Sequence, residues 1–291
     1  MTLRFAYNTN GATNHRLDDA LALIAEAGYD GVALTLDHHH LDPFASELIG
    51  RSEKLARRLE ELGLGVVIET GARFLLDPRA KHEPTLLSPE REGRARRLDF
   101  LYRCVEVAAA TGAEAVSFWA GVPRPGVDPT EAHRWLVEGV SRLAERAEER
   151  GVVVALEPEP GMLVETLDDY REVAPKVPGL RLALDTGHCL VTGEREPEDA
   201  AREFAEELGT VAIEDMRRGV HEHLPFGEGD MDAPAVLAAL EEIGFRGLVC
   251  IELSRESPRA HRAIPEAISF LKDAVVSGRQ LAVSKEPRAE A

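Results

Sequence analysis

The stretch Leu180-Arg181-Leu182-Ala183-Leu184-Asp185-Thr186-Gly187-His188-Cys189-Leu190 decides how the chain is read. Leu180 to Leu184 is a mostly apolar run that follows Pro178 and Gly179. It is too short for a helix and is bounded by turn residues, which predicts a buried strand. Asp185 then stands at the carboxyl end of that strand, with His188 just beyond it in a glycine-containing turn. Parallel sheets and barrels gather their chemistry at that end of their strands. Asp185 and His188 are therefore candidate site residues. The plainer alternative is an aspartate that caps the next helix and a histidine on a loop.

Outward from this stretch one unit recurs along the chain: an amphipathic helix, a glycine, a short apolar run. Gly28, Gly63, Gly112, Gly151, Gly179, Gly209 and Gly244 each precede such a run. A glycine suits the position just past a helix end, where the left-handed conformation carries no Cβ penalty. Helices between strands force parallel pairing, and strands buried on both faces read as continuous apolar runs. One helix shows the pattern well: Leu136, Val140, Leu143, Ala144 and Ala147 share a face, while Glu145, Arg146, Glu148, Glu149 and Arg150 lie largely off it. With the opening run at 3–7, the count reaches eight strand–helix units. No G-x-G-x-x-G follows the first strand, which speaks against a dinucleotide-binding sheet. The expected fold is α/β, a single-domain (β/α)8 TIM barrel over 1–278, with 279–291 as a flexible C-terminal tail. Two long polar connections, 73–92 and 216–232, break the rhythm, and both belong to the rim that carries Asp185.

The bulk properties narrow the class of protein and its partners. A chain of 291 residues with 44% hydrophobic residues can bury one large core. A net charge of −18 argues against nucleic acid or an anionic membrane surface as partner. Cys104, Cys189 and Cys250 lie in apolar runs without a paired spacing and read as reduced core residues. With no signal-peptide pattern and no apolar stretch of membrane-spanning length, the expected location is the cytoplasm. The expected partner is a small-molecule substrate, and homo-oligomer formation is left open.

The strand ends supply the contents of the barrel mouth: Asp37, Glu69, Trp119, Glu157 with Glu159, Asp185, Glu214 and Glu252. Carboxylates of Glu157, Asp185 and Glu252 would point into one narrow space. Two unit charges about 5 Å apart at an effective dielectric near 20 repel by roughly 3 kcal/mol. A divalent cation is the simplest way to relieve such a trio, because carboxylate oxygens are its natural ligands. The consecutive histidines His38, His39 and His40 cannot all face one ion and read as rim. His221 and His223 are two apart, so an extended segment aims both to one side. Arg217 and Arg218 could neutralise a ligand's carboxylate or phosphate. The glycines at 227 and 229 could equally be a plain turn into Asp232, a helix cap.

Ala155-Leu156-Glu157, Asp185-Thr186-Gly187-His188, the segment from His223 to Gly229, and Ile251-Glu252, taken in that order, resemble the xylose-isomerase-like TIM barrels. That superfamily holds sugar and sugar-phosphate isomerases and epimerases together with a DNA-repair endonuclease branch. The resemblance covers nearly the whole chain. It implies that Glu157, Asp185 and Glu252 are metal ligands and that Glu157 and Glu252 also exchange protons with substrate. It further implies that His188 touches a substrate oxygen with Arg218 nearby. Glu159, Trp119 and His223 are expected to face the substrate, Phe226 to add an apolar wall, and 73–92 to act as a lid. One departure is clear. The family's H-x-[KE]-D at the end of strand seven reads Ala212-Ile213-Glu214-Asp215 here, so His221, His223, His188 or water would have to complete the shell. The endonuclease branch needs further histidines, and Trp119 stands where one would be expected. The leading expectation is a Mn-, Mg-, Co- or Zn-dependent isomerase or epimerase working by proton transfer beside a carbonyl. The alternatives are a metal-dependent dehydratase of a cyclic polyol or shikimate-like acid and, because of Ala212, a non-catalytic ligand-binding barrel.

Overall fold

A computed structural model describes residues 2–285 of the chain. The chain runs β1 (Arg4–Asn8), α1 (Leu17–Ala27), β2 (Gly31–Thr35), α2 (Leu48–Leu62), β3 (Gly65–Glu69), α3 (Arg91–Thr111), β4 (Val116–Trp119), α4 (Pro129–Arg150) and β5 (Val154–Glu157). It continues with α5 (Leu167–Val173), β6 (Arg181–Asp185), α6 (Thr186–Thr192), α7 (Pro197–Glu203), β7 (Leu208–Ile213), β8 (Asp215–Arg217), β9 (Val220–Leu224), α8 (Ala233–Glu242), β10 (Leu248–Ile251) and α9 (Ala260–Lys285). The strands close in the order β1-β10-β7-β6-β5-β4-β3-β2, and every neighbouring pair is parallel. This is a single TIM barrel, as the alternation of helix and apolar run predicts.

The glycine punctuation works at most of its copies. Gly28, Gly63, Gly112 and Gly151 cap α1 to α4 in the left-handed conformation. Gly209 does not. It lies inside β7, close to the register shift in β6, where a Cβ would stand 2.8 Å from that of Arg181 and 3.0 Å from that of Ala155. There the missing side chain allows close strand packing instead of ending a helix. The apolar stripes face inward as read: Leu136, Val140, Leu143, Ala144 and Ala147 of α4 are all buried. The three cysteines are free and buried.

Two features lay outside the sequence reading. The connection 216–232 is not an irregular loop: β8 and β9 form an antiparallel hairpin that stands apart from the barrel sheet. Helix α9 continues to Lys285, past the proposed barrel boundary at residue 278, and 286–291 lie outside the described residues. Among the described residues no helix is long and apolar enough to cross a membrane.

Candidate active site

Inside the barrel the side chains at its mouth are small: Ala33, Val67, Ala183, Thr210, Ala212 and Cys250. They leave a cavity of about 30 Å³ that Glu69, Glu157, Asp185 and Glu252 also line, so carboxylates from β3, β5, β6 and the residue after β10 do converge. A space of this size holds water. His188 lies in α6 and not on a loop or turn, and Asp185 is the N-cap of that helix. Its Oδ1 caps α6 by accepting the His188 backbone N–H at 3.1 Å, while its Oδ2 is buried with no hydrogen-bond partner in the protein.

His188 is the hub of the cluster. Its Nδ1 lies 2.9 Å from the Pro158 carbonyl, which can only accept, so Nδ1 carries the proton donated there. Nε2, buried and unpartnered, is the nitrogen left to face the cluster. Nε2 stands 3.6 Å from Asp185 Oδ2 and 3.8 Å from Glu159 Oε2, and Nδ1 is 3.8 Å from Glu157 Oε1. The hairpin brings His221 edge-on to His188, ring centroids 4.9 Å apart, with its Nε2 3.7 Å from Glu159 Oε1. His223 follows, its Nε2 4.0 Å from Glu252 Oε1.

Two ligand triples result. Glu157, Asp185 and His188 offer donor atoms within 4.8 Å of one another, and so do Glu159, His188 and His221. An imidazole whose far nitrogen is tied to a carbonyl, beside orphaned carboxylate oxygens, suits a divalent ion. Glu252 belongs to neither triple. Its Oε1 accepts from the Asn10 amide at 2.8 Å and its Oε2 from the Asn8 amide at 3.3 Å. These asparagines, Asn8 at the end of β1 and Asn10 in the 3-10 turn after it, are cavity-side residues that the sequence reading missed; polar side chains around a strand's carboxyl end were the available signal.

The electrostatics match the crowding. Burial, followed by repulsion from Glu159 and Asp185, pushes Glu157 well above the ordinary carboxylate range. Burial also raises Glu159 and Glu252. For Asp185, burial is outweighed by His188 and the other groups around it, and its carboxyl is held low. Burial alone would lower His188, but Asp185 and Glu159 beside it raise it instead. Glu214, at the rim beyond β7, is fully buried and makes no well-formed hydrogen bond. It packs on Gly187, where a Cβ would collide with its carboxyl, and burial followed by the charge of Asp185 pushes its pKa well up. Glu69 is pushed up to about 7 by burial and then by Glu252.

Other expectations move. Arg218 is half exposed and pairs outward with Glu196 at 2.7 Å, away from His188. The cation that faces the site is Arg73, which acts on Glu69 and Glu252 and reaches the Asn10 carbonyl at 3.5 Å. Arg73 and Ala72 both have positive φ, a backbone commitment that no composition pattern signals. Trp119 is paired in register beside Glu157 but is buried, with Arg97 4.1 Å over its ring and His82 edge-on at 5.2 Å. Phe226 stacks on Phe270 of α9 at 5.0 Å rather than lining the cavity. His38 hydrogen-bonds Asp37, and His40 is buried near the His15 carbonyl, so that run stays out of the cluster.

Comparisons with known proteins agree with this fold. MJ1311, an uncharacterized protein of Methanocaldococcus jannaschii, is 26% identical over 156 residues, covering 49% of this chain and 51% of that one. The chain thus matches about half the length of this curated relative. Among solved structures, an L-ribulose 3-epimerase superposes with a TM-score of 0.79 at 21% identity over 100% of both chains. The 3-keto-D-glucoside 4-epimerase YcjR of E. coli gives 0.74 at 19% identity, over 94% of this chain and 100% of that one. The zinc-bound IolI protein gives 0.73 at 21% identity, over 95% and 98%. At such identities the likeness establishes the fold and not the reaction. A family model for the xylose isomerase-like TIM barrel matches residues 21–274, and the chain belongs to that family.

Proposed function

We propose that the protein is a metal-dependent isomerase or epimerase of a small sugar or hydroxy-ketone, working by proton transfer next to a carbonyl. The observation that carries this reading is the placement of Glu157 and Glu252 on one cavity, with the Asp185–His188 pair beside them. The superposable structures named as sugar epimerases and the zinc-bound IolI protein support it by analogy. Asp185, Glu157 and His188 would hold the ion, and a divalent cation there supplies a Lewis acid for adjacent carbonyl and hydroxyl oxygens of the substrate.

The chain's own groups perform the proton transfer. Glu157 and Glu252 have raised pKa values, which suits carboxyls that must take a proton and hand one back. Asn8 and Asn10 hold both oxygens of Glu252 and fix its direction. Glu157 takes the proton from the carbon beside the carbonyl, and Glu252 delivers one from the opposite side; for the opposite epimer the roles reverse. Arg73 and the hairpin histidines close the mouth and limit water access.

The test is a panel of ketoses incubated with the Mn²⁺-loaded protein in D₂O and followed by NMR. Epimer or isomer formation with deuterium at the carbon beside the carbonyl is expected. An unsaturated product would replace this reading with the dehydratase one. Absence of turnover across the panel with each of Mn²⁺, Mg²⁺, Co²⁺ and Zn²⁺ would favour the ligand-binding barrel.

A further inference from the structure

The end of β7 is where the metal shell should fail. Ala212 pairs in register with Asp185, lines the cavity, and offers only a methyl group. Yet the chain that leaves β7 turns directly into the β8–β9 hairpin, which folds back over the same cluster. The hairpin is anchored. Asp215 accepts the backbone N–H groups of Gly227 at 2.7 Å and Met231 at 3.0 Å, and the Gly219 N–H reaches the Leu190 carbonyl at 3.1 Å. Met216, within β8 itself, is fully buried. Along β9, side chains alternate, so His221 and His223 share one side while Glu222 pairs with Arg255.

We infer that His221, together with Glu159 and Nε2 of His188, would supply the ligand place that Ala212 leaves open. This deepens the metal-dependent reading above and rests on it. Ligand atoms of a four-coordinate ion with bonds of about 2.0–2.1 Å stand about 3.4 Å apart. The separations around His188 Nε2 are 3.6 Å to Asp185 Oδ2 and 3.8 Å to Glu159 Oε2, and His221 Nε2 lies 3.7 Å from the other Glu159 oxygen. Donor atoms of Glu159, His188 and His221 all lie within 4.8 Å of one another, and an inward shift of these side chains brings them to ligand spacing. The two triples have His188 in common. Glu252, with both oxygens held by asparagine amides, is left for proton transfer. The ligand has thus moved from the barrel strand to the hairpin that follows it, and metal binding ties the hairpin down.

The experiment is a titration of chelator-treated protein with Zn²⁺ and Co²⁺, read by equilibrium dialysis with metal analysis and by amide hydrogen exchange over 215–224. The wild type is expected to bind stoichiometrically and to slow exchange in the hairpin. His221→Ala and Glu159→Gln should each weaken binding by at least about tenfold and abolish the metal-induced protection, with circular dichroism unchanged. Ala212→His in the His221→Ala background should recover most of the affinity without the hairpin protection. A folded His221→Ala protein with unchanged affinity would overturn this inference while leaving the metal-dependent reading intact. A wild type that binds neither ion would overturn both.

Discussion

Two histidine clusters occupy the rim, and only one belongs to the site. The run His38-His39-His40 is the denser in sequence, but its side chains diverge: His38 turns to Asp37, His39 stacks on His38, and His40 is buried near the His15 carbonyl. His221 and His223 are separated by one residue on an extended strand and reach Glu159 and Glu252 from the same side. Spacing, not density, decides whether imidazoles can share a target. What the second pair gains comes from the hairpin, which folds a surface segment back onto the barrel mouth.

The contrast can be broken most severely at the reacting groups. Glu252→Gln should reduce turnover roughly 10²–10⁴-fold with the melting temperature largely kept; steady-state kinetics beside thermal unfolding would check this. Unchanged activity would remove Glu252 from the mechanism. Next, His188→Gln should cost about 10–100-fold in metal affinity, measured by the same dialysis, because Nε2 of His188 stands unpartnered 3.6 Å from Asp185 Oδ2. A smaller effect separates the two arginines. Arg73→Ala should raise KM several-fold, whereas Arg218→Ala, on the outer Glu196 pair, should leave KM within about twofold. If Arg218 proves the sensitive one, the hairpin adopts another pose with substrate bound.

Glu69 offers a pH test on the metal-free protein. Its pKa in the fold is about 7, above the ordinary 4.5. The folded chain keeps a proton that the unfolded chain releases, so stability falls as pH rises between these values and levels off above them. Glu69→Gln should flatten that slope by an amount on the order of 2 kcal/mol, read as a smaller loss of melting temperature between about pH 5 and pH 8. The weakest effect belongs to the dense cluster. Replacing His38 and His39 with alanine should change metal affinity less than twofold, and a larger loss would erase the distinction between the two clusters.

Much of the barrel was legible because its signals are local. Glycines cap α1 to α4, and continuous apolar runs mark strands buried on both faces. The placement of Glu157 and Asp185 at the rim follows from the same reading, since each is the last residue of a barrel strand. Gly209 misled because a glycine serves close strand packing as well as helix ends. Arg218 misled because its neighbours in sequence are not its neighbours in space: it reaches across to Glu196.

By itself, then, the sequence determined the eightfold alternation, the inward carboxylates and the absence of a strand-seven imidazole at Ala212. Those are properties of residue type and period, which short stretches carry alone. Only the tertiary structure decided that Asn8 and Asn10 clasp Glu252, that Arg73 rather than Arg218 faces the site, and that His221 leans on His188. Each of these joins residues far apart in the chain, through strand closure or a folded-back hairpin. No local pattern encodes where such a segment will land.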